Sequence, residues 1–153
     1  MIRKIKYIPT LLVLLLLYGC PDHQGMNIDV FYVENQSDNP FKIATYSTID
    51  ESLIGGFGLP KQNGESISFS SDILKLNEDF VSLERCDSAI IVLGDRYLIH
   101  KYDQENKVFL PDEKNIFRIS SYTQETPSIY RMELNQEDYD NATPCNNDPI
   151  CGE

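Results

Sequence analysis

Ser88-Ala-Ile-Ile-Val-Leu93-Gly94-Asp95-Arg96-Tyr-Leu-Ile-His-Lys-Tyr102 is the stretch that decides the fold. An apolar run ends at Gly94-Asp95, a dipeptide favoured in two-residue turns, and a second run of strand formers leads back. The pattern predicts a β-hairpin. On its N-terminal side, Asn27 to Val33 is rich in strand formers, and Asn35-Gln-Ser-Asp-Asn-Pro40 is a cluster of turn residues. Phe41 to Tyr46 reads as the return strand of another hairpin. Ile54-Gly-Gly-Phe-Gly-Leu-Pro60 reads as a flexible loop in which Phe57 could stand outward as a contact point. Gly64-Glu-Ser-Ile-Ser-Phe-Ser70 alternates with period two, placing Ile67 and Phe69 on one face.

Ser71 to Arg85 admits two readings. Ile73, Leu76, Phe80 and Leu83 have helical spacing behind Asp72 as a cap, and a loop leading into a strand fits as well. Beyond the hairpin, Asp103 to Lys107 is a polar loop, and Asn115 to Ile119 is a short helix or strand. Ile129 to Leu134 is a last strand, with Tyr130, Met132 and Leu134 opposite Ile129, Arg131 and Glu133. Asn135 can then cap one helical turn running to Ala142. Several short strands with no long helix predict a single all-β domain, an Ig/transthyretin-like β-sandwich, with a small β-barrel as the alternative.

The N-terminal residues carry an address. Arg3, Lys4 and Lys6 precede Leu11-Leu-Val-Leu-Leu-Leu-Leu17, and Gly19 precedes Cys20. A basic start, a short apolar run and a small residue before the cut mark a secretory signal peptide. The uncharged stretch from Tyr7 to Gly19 falls short of the roughly 20 apolar residues that a helical membrane span needs. Leu17-Tyr18-Gly19-Cys20 resembles the lipobox of bacterial lipoproteins, which implies lipidation of Cys20 and cleavage before it. Two or three acyl chains on that residue would make membrane attachment durable, where one chain binds only marginally. The expected organisation is a signal peptide over 1–19, a lipidated tether over 20–26, the sandwich over 27–142 and a polar cysteine-containing tail over 143–153.

Removing residues 1–19, which hold three basic and no acidic residues, leaves 24 acidic against 10 basic side chains. Such a surface repels phosphate backbones and argues against nucleic acid as a partner. Lipidation of Cys20 would leave Cys86, Cys145 and Cys151, an odd number in an oxidising compartment. The turn-rich Cys145-Asn-Asn-Asp-Pro-Ile-Cys151 favours a local disulfide. Cys86 is then the leftover thiol, or the partner in a longer link to the tail.

No catalytic constellation emerges. His23 sits in the tether and His100 in a strand, with no Gly-x-Ser-x-Gly, His-Glu-x-x-His or phosphate loop. The acidic neighbours Asp50-Glu51, Glu137-Asp138 and Asp138/Asp140 read as solvated charge rather than a glycosidase pair. Asp138-Tyr-Asp140-Asn141 lacks the glycine and distal glutamate of a calcium loop, so neither metal nor cofactor is expected. Tyr97, Tyr102 and Tyr130 could offer flat platforms to a sugar, although strand tyrosines more often fill cross-strand pairs.

Val33-Glu-Asn-Gln-Ser37, Asp87-Ser88 with its following strand, and Tyr130 through Glu137-Asp138-Tyr139-Asp-Asn-Ala142 resemble a set of small Bacteroidetes lipoproteins of the outer envelope. Asp87-Ser88-Ala89 also resembles the short O-glycosylation motif of exported proteins of that phylum, which marks Ser88 for modification. The resemblance implies an envelope protein held at the outer membrane by its lipid. Residues 21–24 do not assign it to the periplasmic or the surface face. The expected role is a non-enzymatic interaction module binding an envelope protein or glycan. An immunity- or inhibitor-type periplasmic lipoprotein and an enzyme acting on an envelope polymer are the alternatives.

Overall fold

A computed structural model of the chain describes residues 28–48, 52–71, 79–83 and 85–151. Cys20 with the whole signal and tether, Asp50, Glu51, Ile73 and Leu76 lie outside these residues. Ten strands are described: β1 (Asp29–Asn35), β2 (Phe41–Ser47), β3 (Ser52–Gly55), β4 (Ser66–Ser71), β5 (Ser88–Leu93), β6 (Arg96–Asp103), β7 (Val108–Leu110), β8 (Thr123–Thr126), β9 (Ile129–Leu134) and β10 (Thr143–Pro144). One α-helix, α1 (Gln136–Asn141), separates the last two.

The strands form two packed sheets rather than a closed barrel. The smaller sheet has the order β4-β1-β9-β8. The larger runs β10-β6-β5-β2-β3, with β7 also on β6. Alternating side chains seal the space between them: Phe31 and Val33 of β1 and Met132 and Leu134 of β9 face Phe41, Ile43, Ala89, Ile91 and Leu93 of the larger sheet, all buried. Each such side chain contributes about 1.5–3 kcal/mol by leaving water. Phe31 stacks on Tyr130 at 4.8 Å between ring centroids, and Phe80 stacks on Tyr102 at 4.2 Å.

The Gly94-Asp95 hairpin forms as the sequence predicts, with Leu93 opposite Arg96 and Ala89 opposite His100. Gly94 has φ +57°, and a Cβ there would press on the Asn39 side chain at 3.2 Å, so glycine is required on two counts. Ile129–Leu134 is also a strand with the expected faces, and α1 begins at the expected cap. The Asn135 side chain accepts from the Asp138 amide, and the Asp138 carboxylate accepts from the Asn135 amide, a reciprocal capping box.

Other expectations need correction. β1 and β2 do not form a hairpin: they belong to different sheets. The turn between them holds the chain in a crossing rather than a reversal. Asn35, fully buried, donates to the carbonyls of Asn39 and Lys61 and accepts from both the amide and the hydroxyl of Ser37. Ile54 and Gly55 are not loop but the end of β3, and only the residues after them run irregularly beside β2 until Lys61 pairs with Phe41. Asn115 to Arg118 is neither helix nor strand. Asn115 is a buried plug whose side chain donates to the carbonyls of Lys101, Leu110 and Pro111 and accepts from the Phe117 amide. Within 79–83, Phe80 and Leu83 make isolated bridges to Arg118 and Ser71 instead of continuing a helix.

Candidate binding groove and open strand edge

The residues singled out in the sequence are scattered rather than brought together. Cys145 and Cys151 are joined, with 5.8 Å between their Cα atoms, so the tail cysteines pair with each other and not with Cys86. Cys86 is 1% exposed in the core. Ser88 opens β5 on the outward face of the larger sheet, between Tyr46 and Lys101 on the neighbouring strands. The aspartate before it is a fixture of the fold. Asp87 is buried and accepts from the amide and hydroxyl of Thr48 and from the Gln104 amide group, clamping the ends of β2 and β6.

His100 points inward. Its Nδ1 accepts from the Ile116 amide at 3.1 Å, and burial pushes its pKa down to about 4, so it is a neutral structural acceptor at neutral pH. Tyr102 cannot be a platform because it is 4% exposed between Phe80 and Phe109. Tyr130 is committed to Phe31, and Tyr97 alone of the three lies on an outward face. Asp138 serves the helix cap and accepts from Lys114 Nζ at 2.5 Å. Among the described residues no three His, Cys, Asp or Glu side chains converge as metal ligands, and no helix is long and apolar enough to cross a membrane.

Two concavities lined by described residues bear on binding. One, of about 330 Å³, lies on the β8 side and is lined by Lys114, Ser121, Thr123, Glu125, Arg131 and Asn135. Its cations are already matched: Arg131 bonds Glu34 and Glu125 at 2.6 Å each, and Lys114 bonds Asp138. A ligand there would have to displace formed ion pairs.

The other, of about 390 Å³, opens where the two sheets part. Its floor is Ile43, Ile67 and Phe69, its far wall is Gly55, Gly56, Gly58 and Leu59, and Lys61 is the charged residue that lines it. The floor belongs to the core, with Ile43 and Phe69 5% and 6% exposed, while Leu59 on the rim is 84% exposed. A Cβ added at Gly56 or Gly58 meets nothing within 4 Å. A Cβ at Gly55 would instead press on Thr45 Oγ1 at 2.7 Å. Lys42 reaches across to Phe57, its ammonium 4.6 Å from the ring centroid, so Phe57 is tied back rather than presented outward.

No family model, curated protein or solved structure matches the chain.

The groove runs beside a sheet edge. β4 pairs with β1 on one side, in register from Asp29↔Ser71 to Glu34↔Ser66. Val30 donates to Ser128 and Gln36 to Leu134, so the even-numbered residues of β1 serve β9. Asn35 donates to Glu65, so the odd-numbered ones serve β4. Antiparallel pairing alternates. The backbone groups of Ile67 and Phe69 therefore face β1, and those of Ser66, Ser68 and Ser70 face away. Among the described residues only Leu83 meets that outer side, at Ser71. The sequence showed β4 as a strand. Its place at an edge, beside a cleft, depends on β1 taking β9 as a parallel neighbour, for which no local signal exists.

Proposed function

We propose that the chain is a lipid-anchored, non-enzymatic interaction module of the bacterial cell envelope that receives a protein or glycan partner in the groove between β4 and the Gly55–Lys61 segment. One observation carries the reading. The groove reaches core residues Ile43 and Phe69 from the surface and has Gly55, Gly56 and Gly58 along one wall. The apolar surface still open there, half-buried Ile67 and the exposed Leu59 on the rim, gains by being covered. The lipobox resemblance at Cys20 supports the anchor, and the commitment of His100 and Asp138 to internal hydrogen bonds supports a role without catalysis.

Two substitutions test the reading. Cys20→Ser should move the protein from the membrane fraction to the supernatant. With the chain from Pro21 onward as bait on detergent-solubilised envelopes, Gly56→Leu should abolish retention of whatever the unaltered groove retains. Equal retention by the Leu variant would overturn the assignment of the groove.

A further inference from the structure

We infer that the partner is a protein, and that it binds by adding an extended segment as a further strand on the outer edge of β4, which the described residues leave open from Ser66 to Ser68, its alternate side chains entering the groove. The inference rests on the groove assignment above and specifies its occupant.

Three observations converge. The first is the direction of the backbone. Ser66 and Ser68 present their N–H and C=O groups away from β1, where among the described residues nothing pairs with them, and this is the ladder a new strand would complete; the Leu83 bridge at Ser71 closes it at the Ser70 end. The second is the absence of protection. Natural sheet edges are blunted by charge, proline, bulges or short length. β4 reads Ser-Ile-Ser-Phe-Ser-Ser, six residues in unbroken register with no charge and no proline. The third is the match between edge and groove. Ile67 and Phe69, the inward residues of β4, are also its floor. A strand about 4.8 Å from β4 would place the residues opposite Ile67 and Phe69 over that floor. Those opposite the serines would face water.

This geometry selects the chemistry. Main-chain hydrogen bonds would supply affinity and the alternate pockets specificity, as in other strand-addition complexes. The floor of Ile43, Ile67 and Phe69 calls for aliphatic residues at alternate positions. Lys61 is half-buried at the groove, and a carboxylate in the segment would complement it. The occupant is thus an extended protein segment alternating aliphatic and polar residues and carrying an acidic one. A glycan has no row of donors and acceptors at strand spacing, and cannot complete the ladder.

The test uses the chain from Pro21 onward, which contains every described strand, and a phage-displayed library of random eight-residue peptides. Panning should enrich sequences with aliphatic residues at every second position. The best-enriched peptide, synthesised and titrated, should slow amide exchange at Ser66 and Ser68 in the unaltered protein. Ser68→Pro removes an outward N–H without touching the β1 ladder, and Gly56→Leu fills the groove. Each should weaken peptide binding at least tenfold.

Loss with Gly56→Leu but not with Ser68→Pro, and no slowing at the serines, would overturn strand addition and keep the groove. No loss with either would overturn both. Enrichment of no alternating sequence would overturn the strand-addition inference, as would slowed exchange at Ser68 on raising protein concentration alone, which would make a second copy the occupant. Should Ser68→Pro fail to fold, the exchange pattern of the unaltered protein decides.

Discussion

The two ends of the smaller sheet are built on opposite principles. β8 closes one end with four residues, a register break between Gln124 and Thr126, and Pro127 immediately after. Glu125 in its middle is tied to Arg131 on the next strand at 2.6 Å. Bulge, charge and proline are the devices by which sheets refuse further strands. β4 closes the other end with a longer and regular strand of serine, isoleucine and phenylalanine. The contrast within one sheet teaches that the chain has the means to guard an edge and leaves β4 without them. The proposed strand addition would use this edge, and its lack of guards makes it a liability unless it is covered.

The largest expected effect disrupts the buried turn at the end of β1, beside β4. Asn35→Ala strips four hydrogen bonds from a site with no solvent access and leaves the Ser37 amide without the acceptor it has there. Urea unfolding should show a loss of about 2–4 kcal/mol. The peptide affinity of β4 should fall with it while the Glu125–Arg131 pairing of β8 persists.

Acid should act on the β8 side instead. His100 titrates at about 4 when folded against 6.5 ordinarily. Between those values the unfolded chain binds the extra proton, so this group's contribution is intact above pH 6.5 and is lost as pH falls toward 4. The total is about 3 kcal/mol. Because His100 accepts from Ile116, the segment leading into β8 should loosen first. Denaturant curves from pH 7.5 to 5 should show the slope, and His100→Gln should flatten it. Asp79 and Glu125, held below their ordinary carboxyl values, add their losses only at lower pH.

Opening the tail disulfide is a smaller perturbation, remote from both edges. Cys145→Ser with Cys151→Ser releases a six-residue loop and should cost about 2 kcal/mol in the entropic description. It should loosen β10 on β6 and leave peptide binding at β4 unchanged.

The smallest effect on stability is the most informative about the edges. Ser68→Lys places on β4 the kind of guard that β8 already has. Ser68 is exposed, so unfolding free energy should move by no more than about 0.5 kcal/mol while peptide binding is lost. A variant that bound peptide normally would erase the distinction between the two edges.

Where periodicity and turn chemistry act locally, the fold could be read from residues in order. The Gly94-Asp95 hairpin, the faces of β9 and the Asn135 cap are all of this kind. What stayed hidden depends on partners distant in sequence. β1 and β2 were joined by a good turn signal, yet Asn35 and Ser37 use that turn to cross between sheets. β7, β8 and β10 are too short or too polar to announce themselves, and exist because β6 and β9 offer edges to pair with. Tyr102 read as a candidate platform and is core, because a strand pattern does not say which face has a second sheet above it. Gly56 to Leu59 was legible as an irregular glycine-rich segment. Its role as a groove wall requires β4 opposite, set there by the β1–β9 pairing.

Amide exchange along β4, measured residue by residue on the dilute isolated chain, tests the open edge most directly. The predicted pattern alternates. Ile67 and Phe69, bonded to β1, should exchange about 100-fold or more slowly than Ser66 and Ser68, as unpaired amides exchange without an opening event. Equal protection at Ser68 and its two neighbours would show that another segment of the chain already covers the edge, and would contradict the account.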